Sequence, residues 1–390
     1  MSRTELKTLI GPTDIVRVVL GWGAFAALLL LHPVLAPPVP TPVLIIALTV
    51  IIAVILVCAF GVVKQAEALA HRLGDPYGSL VLTLSIVMIE VILISAVMLG
   101  PGEHATIARD SVMAVAMIIL NLVIGLALLV GGLRHRGTAH NRTGTSAYLS
   151  MLVVLVALAF GLPALIGADG SYTVAQEIPI IVLTLALYAF FLYRQMGAQA
   201  GDFTEVDPRL LQSPQRQEKT EQPQETTEEH GGIREVLAAH RTEVLVRLTL
   251  LVVTVIPIVL LSHDMAALLD DGLGRLGAPI ALAGVLIAGI VFLPESITAI
   301  RAAVGGEAQR VNNLCHGALV STVGLTIPAV LIIGMSTGQT VVLAESPANL
   351  LMLGVTLLLS VTTFAAKRVT AMHGAAHLVT FAVYLVVLFR

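Results

Sequence analysis

Glu90 and Glu295 are the residues of this chain best placed to do chemistry. Each interrupts a long apolar run: Glu90 in "SLVLTLSIVMIEVILISAVML" and Glu295 in "IALAGVLIAGIVFLPESITAI". A charged side chain at mid-membrane costs about 2.5–3.5 kcal/mol on insertion scales, so packing alone does not account for it. Ser85 precedes Glu90, and Ser296 and Thr298 follow Glu295. Pro294 withholds a backbone donor beside the second acid. Carbonyls freed in this way become oxygen ligands where they line a cavity. Two carboxylates with neutral oxygen donors suit a hard cation such as calcium or sodium, and without a Cys/His cluster they do not suit zinc or copper. Burial disfavours the charged form of a carboxyl group, so an empty site would hold protons and release them to a cation. Two protons exchanged for one divalent ion leave the site charge unchanged, which is the minimum machinery of an antiporter.

Other polar residues inside apolar runs are weaker candidates. Asn121, in "MIILNLVIGLALLVGG", lies one span after Glu90, and Ser321, in "HGALVSTVGLTIPAV", one span after Glu295. Both could line a cation path or simply hydrogen-bond a neighbouring helix. His316 opens the second of those stretches and could relay protons. His373 and His377 stand one turn apart, a metal-binding spacing that lacks a third ligand nearby. Glu103, Asp110 and Glu307 fall at span ends, where solvation is expected, and Gly131-Gly132 suits close helix packing.

The elements that must hold these residues are membrane helices. The 390 residues are 57% hydrophobic and 12% charged, with a mean hydropathy of +0.93. Apolar runs of span length recur throughout, which implies a polytopic membrane protein with the lipid bilayer as its surroundings. The runs predict eleven transmembrane helices near residues 16–36, 42–63, 77–99, 111–133, 148–168, 174–194, 243–263, 278–301, 312–336, 343–364 and 371–389. The N-terminal stretch has no small-residue cleavage site, so the first run reads as a retained helix. Cys58 and Cys315 lie in apolar runs and read as small hydrophobes. With the N-terminus in the cytoplasm and the C-terminus outside, 19 of the 22 basic residues fall on the cytoplasmic side.

The polar stretch from about 197 to 241, rich in Gln, Glu, Thr and Pro, reads as a mobile acidic cytoplasmic linker. It divides the chain into residues 1–38 with the first helix, a five-helix unit over 39–196, and another over 242–390. An odd helix number per half makes the halves enter the membrane from opposite sides, an inverted-topology repeat. The repeat is visible in the sequence. Both halves open on Arg-Leu-Gly, at Arg72 and Arg275, pass a mid-helix glutamate, and reach a Gly-Glu pair at Gly102-Glu103 and Gly306-Glu307.

The segments "LAHRLGDPYGSLVLTLSIVMIEVILISA", "VLIAGIVFLPESITAI" and "HGAAHLVTFAVYLVV" resemble the bacterial calcium/proton antiporters of the cation/calcium exchanger superfamily. The resemblance implies one essential glutamate per repeat, at Glu90 and Glu295, and export of calcium, or of sodium or potassium, in exchange for protons. It implies no resident cofactor, no nucleic-acid partner and a bacterial inner-membrane location. Many relatives carry Gly-Asn-Ala-x-Glu where this chain has "SIVMIE" and "IVFLPE", and Ser321 stands near an expected Gln. The neutral ligands, and with them the selectivity, therefore differ from the common pattern. A sodium or potassium/proton antiporter on the same scaffold is the alternative. An intramembrane enzyme lacks support, since HExxH and an aspartate dyad are absent.

Overall fold

The computed structural model describes residues 10–33, 35, 39–73, 77–98, 105–206, 241–279 and 281–389. Among them the chain is all helical, with isolated β-bridges in the connections and no strand. Eleven helices follow in order: α1 Pro12–Leu31, α2 Thr41–Leu73, α3 Tyr77–Met98, α4 Ile107–His135, α5 Arg142–Ile166, α6 Val174–Met196, α7 Arg241–Arg275, α8 Ala281–Gly305, α9 Ala308–Thr337, α10 Pro347–Ala365 and α11 Ala371–Leu388. Ten of the described helices are long and apolar enough to cross a membrane, and α3, at 22 residues, has the length of an eleventh. Helices satisfy every interior backbone group internally, which hydrocarbon requires. Their outer faces carry side chains such as Leu30, 82% exposed, and Val174, 71% exposed.

The ends are set by local chemistry. Asn141 caps α5, accepting from the N–H groups of Thr143 and Gly144. Ser346 caps α10, where Pro347 supplies a first helical residue that needs no donor. Gly338, at φ 70°, ends α9 in the left-handed region. Two helices run well past their expected ends. α2 continues through "KQAEALAHRL" and α7 through "HDMAALLDDGLGR", because good helix formers extend the turn beyond the apolar run. Two π-helical stretches, Ile118–Val123 within α4 and Ala157–Gly161 within α5, were not foreseen from hydropathy.

The chain divides into two compact units. The first holds α1, α2, α3, α7 and α8 as far as Pro294. Here α7 lies along α2, with α1 and α3 against both. Trp22 Nε1 donates to the Val253 carbonyl (3.1 Å), and Lys64 and Arg17 pair with buried Asp14 (3.1 and 3.4 Å). The second unit holds α4, α5, α6, α8 from Glu295, and α9 to α11. Its α4 and α11 approach closely where glycines face the opposite backbone. A Cβ on Gly374 would strike the Leu129 backbone, and one on Gly132 the Ala371 backbone. Gly131 lies against the Ala303 carbonyl, so the Gly131-Gly132 pair serves close packing. Around α9, the aromatic rings of Tyr148, Phe191, Phe203 and Phe364 fill the interior.

The linker expectation needs correction at its start. Residues 197–206 are folded onto the second unit. Ala200–Phe203 form a 3₁₀ turn, Phe203 is buried against Tyr148 and Phe191, and its carbonyl accepts from Asn313 Nδ2 (2.7 Å). One aromatic side chain amid polar neighbours supplies the burial that composition over the whole stretch conceals. Residues 207–240 lie outside the described residues.

Candidate functional site

Each compact unit buries one of the two glutamates. Glu90 is the fourteenth residue of α3 and only 3% exposed; Glu295, in α8, is 7% exposed. α8 runs through Pro294 without a break. Ser85 is half-buried on α3, as are Ser296 and Thr298 on α8. Glu295 lies close enough to Cys315 of α9 to interact with it electrostatically. Among the described residues no group of three or more His, Cys, Asp or Glu side chains gathers as a metal cage. A cation held here would need few carboxylates and many neutral oxygens, the donor set of a hard ion.

The structure gives Asn121 and Ser321 partners on neighbouring helices. Asn121 sits in the π-helical stretch of α4, wholly buried, and its Nδ2 donates to Thr356 Oγ1 of α10 (2.9 Å). Its Oδ1 lies 3.4 Å from Nδ1 of His377, whose Nε2 meets Thr363 Oγ1 at 3.2 Å. Ser321 Oγ accepts from the Tyr188 hydroxyl (2.9 Å). His377 thus joins a polar network across three helices, and His373 instead accepts from the Thr370 N–H at the start of α11 (3.1 Å). Thr356, Thr363 and Tyr188 escaped sequence reasoning because helical threonines and tyrosines in apolar runs carry no pattern of their own.

His316 is wholly buried in α9. Its ring stacks on Tyr148 (6.2 Å) and meets the edge of Phe364 (5.0 Å). Neither ring nitrogen forms a hydrogen bond of good geometry among the described residues; the Asn312 carbonyl one turn earlier only approaches it.

Two of the three acids expected at span ends can be located. Asp110 is not simply solvated: it is half-buried and accepts from Arg109 Nε (2.9 Å). Arg109 Nη1 also donates to the Ala344 carbonyl, in the segment before α10 (3.0 Å). Beside it stands Glu345, an acid the sequence reading overlooked. Its Oε2 accepts from Ser346 N and Asn349 Nδ2, and burial pushes its carboxyl above the usual range, against the pull of Asn349, Arg109 and Ser346. Glu307 precedes α9 and pairs with Arg310 (3.2 Å). Glu103 lies outside the described residues.

The sodium/calcium exchanger protein model matches residues 43–197 and 246–390, both halves of the chain on either side of the linker. The chain belongs to the sodium/calcium exchanger protein family. Within that family's reach, it is 29% identical to the sodium-potassium/proton antiporter ChaA of Escherichia coli over 388 residues, 100% of this chain and 97% of that protein. It is 35% identical over 329 residues to y4hA of Sinorhizobium fredii, a provisionally assigned ionic transporter, covering 84% of each. Among solved structures it is similar to the H+/Ca2+ exchanger CAX, with a TM-score of 0.66 at 14% identity over 96% of this chain and 89% of that one. Native YfkE gives a TM-score of 0.62, also at 14% identity, over 96% and 99%. At that identity the two structures establish the exchanger fold. Members of this family are membrane transporters of inorganic cations, and the chain is a multi-pass membrane protein of that kind.

Proposed function

We propose that this protein is a proton-coupled cation antiporter, with Glu90 and Glu295 as the groups that bind cation and proton in turn. The observation that carries the reading is the burial of one mid-helix glutamate in each compact unit, 3% and 7% exposed, within otherwise apolar helices. Neither residue packs as a hydrophobe, and family membership supplies a use for both. Calcium is the cargo that two carboxylates favour, since a pair of protons balances its charge. Ser85, Ser296 and Thr298 supply neutral oxygens close to these acids in sequence, and we assign them to the cation path.

The halves before and after the linker act as inverted repeats that alternate access to the two membrane faces. The make-up of the compact units supports this: α2 and α3 share one unit with α7 and the first part of α8, and α4 to α6 share the other with α9 to α11. The distribution of basic residues supports an N-terminus in the cytoplasm of a bacterial cell, with cations leaving and protons entering.

A second reading, sodium or potassium in place of calcium, is favoured by the full-length likeness to a protein named as a sodium-potassium/proton antiporter. The apolar neighbours in "SIVMIE" and "IVFLPE" also leave fewer side-chain oxygens for an ion that takes six to eight ligands.

Everted membrane vesicles with an imposed proton gradient test both readings. Calcium, sodium and potassium are added separately to wild type, Glu90→Gln and Glu295→Gln. Collapse of the gradient by calcium in wild type alone supports the calcium exchanger. A response only to sodium or potassium moves the assignment to the second reading. Glutamine variants that respond like wild type overturn the assignment of the two acids.

A further inference from the structure

By the distribution of basic residues, the segments that face the cytoplasm mostly mix acids with bases: Lys64 with Glu67 and Asp75, Arg301 and Arg310 with Glu307. The α4–α5 and α10–α11 connections do not. The first holds Arg134, Arg136 and Arg142, the second Lys367 and Arg368, and neither holds an Asp or Glu.

The second unit brings these two acid-free connections together. Thr138 and Val369 exchange backbone hydrogen bonds (3.1 and 3.0 Å) in an isolated antiparallel bridge. Arg136, at φ 56°, ends α4 in the left-handed region, and Gly137 follows at φ 101°. A Cβ on Gly137 would lie 3.2 Å from the Val369 carbonyl oxygen and 3.7 Å from Arg368 Cβ, so only a bare backbone lets the connections approach this closely. Arg142 Nη2 donates to the Ala365 carbonyl (2.8 Å) and ties them a second time.

The five basic side chains gathered here are exposed, and none pairs with a carboxylate among the described residues. Elsewhere on this side the bases do pair: Arg17 and Lys64 with Asp14, Arg247 with Glu243, Arg310 with Glu307. Like charges held together without a partner repel one another. The counter-charge must therefore come from outside the two connections.

The adjoining surface points to its chemistry. The ends of α4 and α11 touch at Gly132 and Ala371. Each is followed by a large apolar side chain left outside, Leu133 at 71% and Met372 at 78% exposure. Leu133 immediately precedes Arg134, and Met372 stands four residues after Arg368. An apolar surface that gives way at once to cations matches a lipid, with hydrocarbon on one side and phosphate on the other. Guanidinium groups bind phosphate oxygens through paired N–H donors, and basic pockets between membrane helices at the cytoplasmic side suit anionic headgroups.

We propose that this corner of the second unit binds an anionic phospholipid. Its phosphate lies among Arg134, Arg136, Lys367 and Arg368, and its chains run along Leu133 and Met372. Arg142, engaged by the Ala365 carbonyl, adds positive charge beside it. The site uses neither Glu90 nor Glu295.

Purified full-length protein in mixed micelles tests this. Phosphatidylglycerol and phosphatidylcholine with identical chains are supplied in equal amounts, and retained lipid is read by native mass spectrometry. Wild type should retain the anionic lipid about 10-fold or more over the zwitterionic one, less so at high salt. Its Tm should rise with phosphatidylglycerol and not with phosphatidylcholine. The combined Arg136→Gln, Lys367→Gln and Arg368→Gln variant should retain both lipids alike and lose the Tm rise. Arg136→Lys, Lys367→Arg and Arg368→Lys together keep the charge and should keep most of the preference. Arg241→Gln, an exposed base of the first unit, should leave it unchanged. Lys367→Gln alone should lose part of it, and carries the test if the triple variant is not monodisperse. Equal retention of the two lipids by wild type overturns the proposal, as does a preference that the glutamine variants keep. Displacement of phosphatidylglycerol by an equal concentration of inorganic phosphate would mean a site for soluble anions. A preference that emerges only with Glu225→Gln, Glu228→Gln and Glu229→Gln would mean that the chain's own acidic stretch covers the corner. Either result overturns the lipid assignment.

Discussion

Glu205 accepts the backbone N–H of Gln309 through Oε2 at 3.1 Å. The acid belongs to the segment after α6, and the N–H is one of the unsatisfied donors at the start of α9. Gln309 in turn accepts from the Asn141 N–H through Oε1 (2.8 Å), so three connections are tied at one end of the second unit. The helix anchored there carries His316 and Ser321.

Replacing Glu205 by alanine leaves that donor without its carboxylate. The expected loss is about 1 kcal/mol of stability, the usual value of a helix cap. Thermal unfolding in detergent should show a lower Tm for Glu205→Ala, with Glu205→Gln between it and wild type because the amide oxygen can still accept. Equal melting of all three would contradict the capping role.

The seam between α4 and α11 makes a sharper prediction. Gly374→Ala puts a methyl group into the Leu129 backbone, which cannot yield as a side chain can. It should cost about 3 kcal/mol, the upper range for overpacking, read as a fall in Tm and in monodisperse yield. Gly354, on α10, has nothing within reach of an added Cβ. Gly354→Ala should be neutral or stabilise by up to about 1 kcal/mol through helix propensity.

The bond from Asn121 to Thr356 can be measured by a double-mutant cycle. Asn121→Leu, Thr356→Val and the double variant should give a coupling energy of about 0.6–1.7 kcal/mol, the range for side-chain hydrogen bonds within membranes. The readout is unfolding free energy in a mixed-micelle titration. Additive losses would mean that the two side chains do not support one another.

Glu345 predicts a pH effect with a definite sign. Burial raises its folded pKa above the unfolded value, so the folded protein holds this proton more tightly. Its contribution to stability is fully present below about pH 4, the ordinary glutamate value, and is lost as pH rises through the folded value. Glu345→Gln removes that loss. The Tm of the variant minus that of wild type should therefore grow between pH 4 and 7. A difference that shrinks over this range would mean that Arg109, 3.9 Å from Oε1, outweighs burial.

The sequence by itself determined the helices and marked the two glutamates. Hydropathy locates spans because lipid admits no unpaired backbone, and a lone acid such as Glu90 in an apolar run stands out by its insertion cost. The match between "RLGDPYG" and "RLGAPIA" around equivalent acids made the repeat legible without coordinates. Only the tertiary structure decided the partners. Asn121 meets Thr356, 235 residues away, and Ser321 meets Tyr188, 133 residues away. Such pairs depend on the rotation of each helix about its axis, and apolar runs that are hydrophobic all round carry no phase from which to read it. The docking of residues 197–206 was hidden for a related reason. It turns on one phenylalanine and one capping carboxylate, and composition averaged over a long polar stretch cannot register contacts made by two side chains.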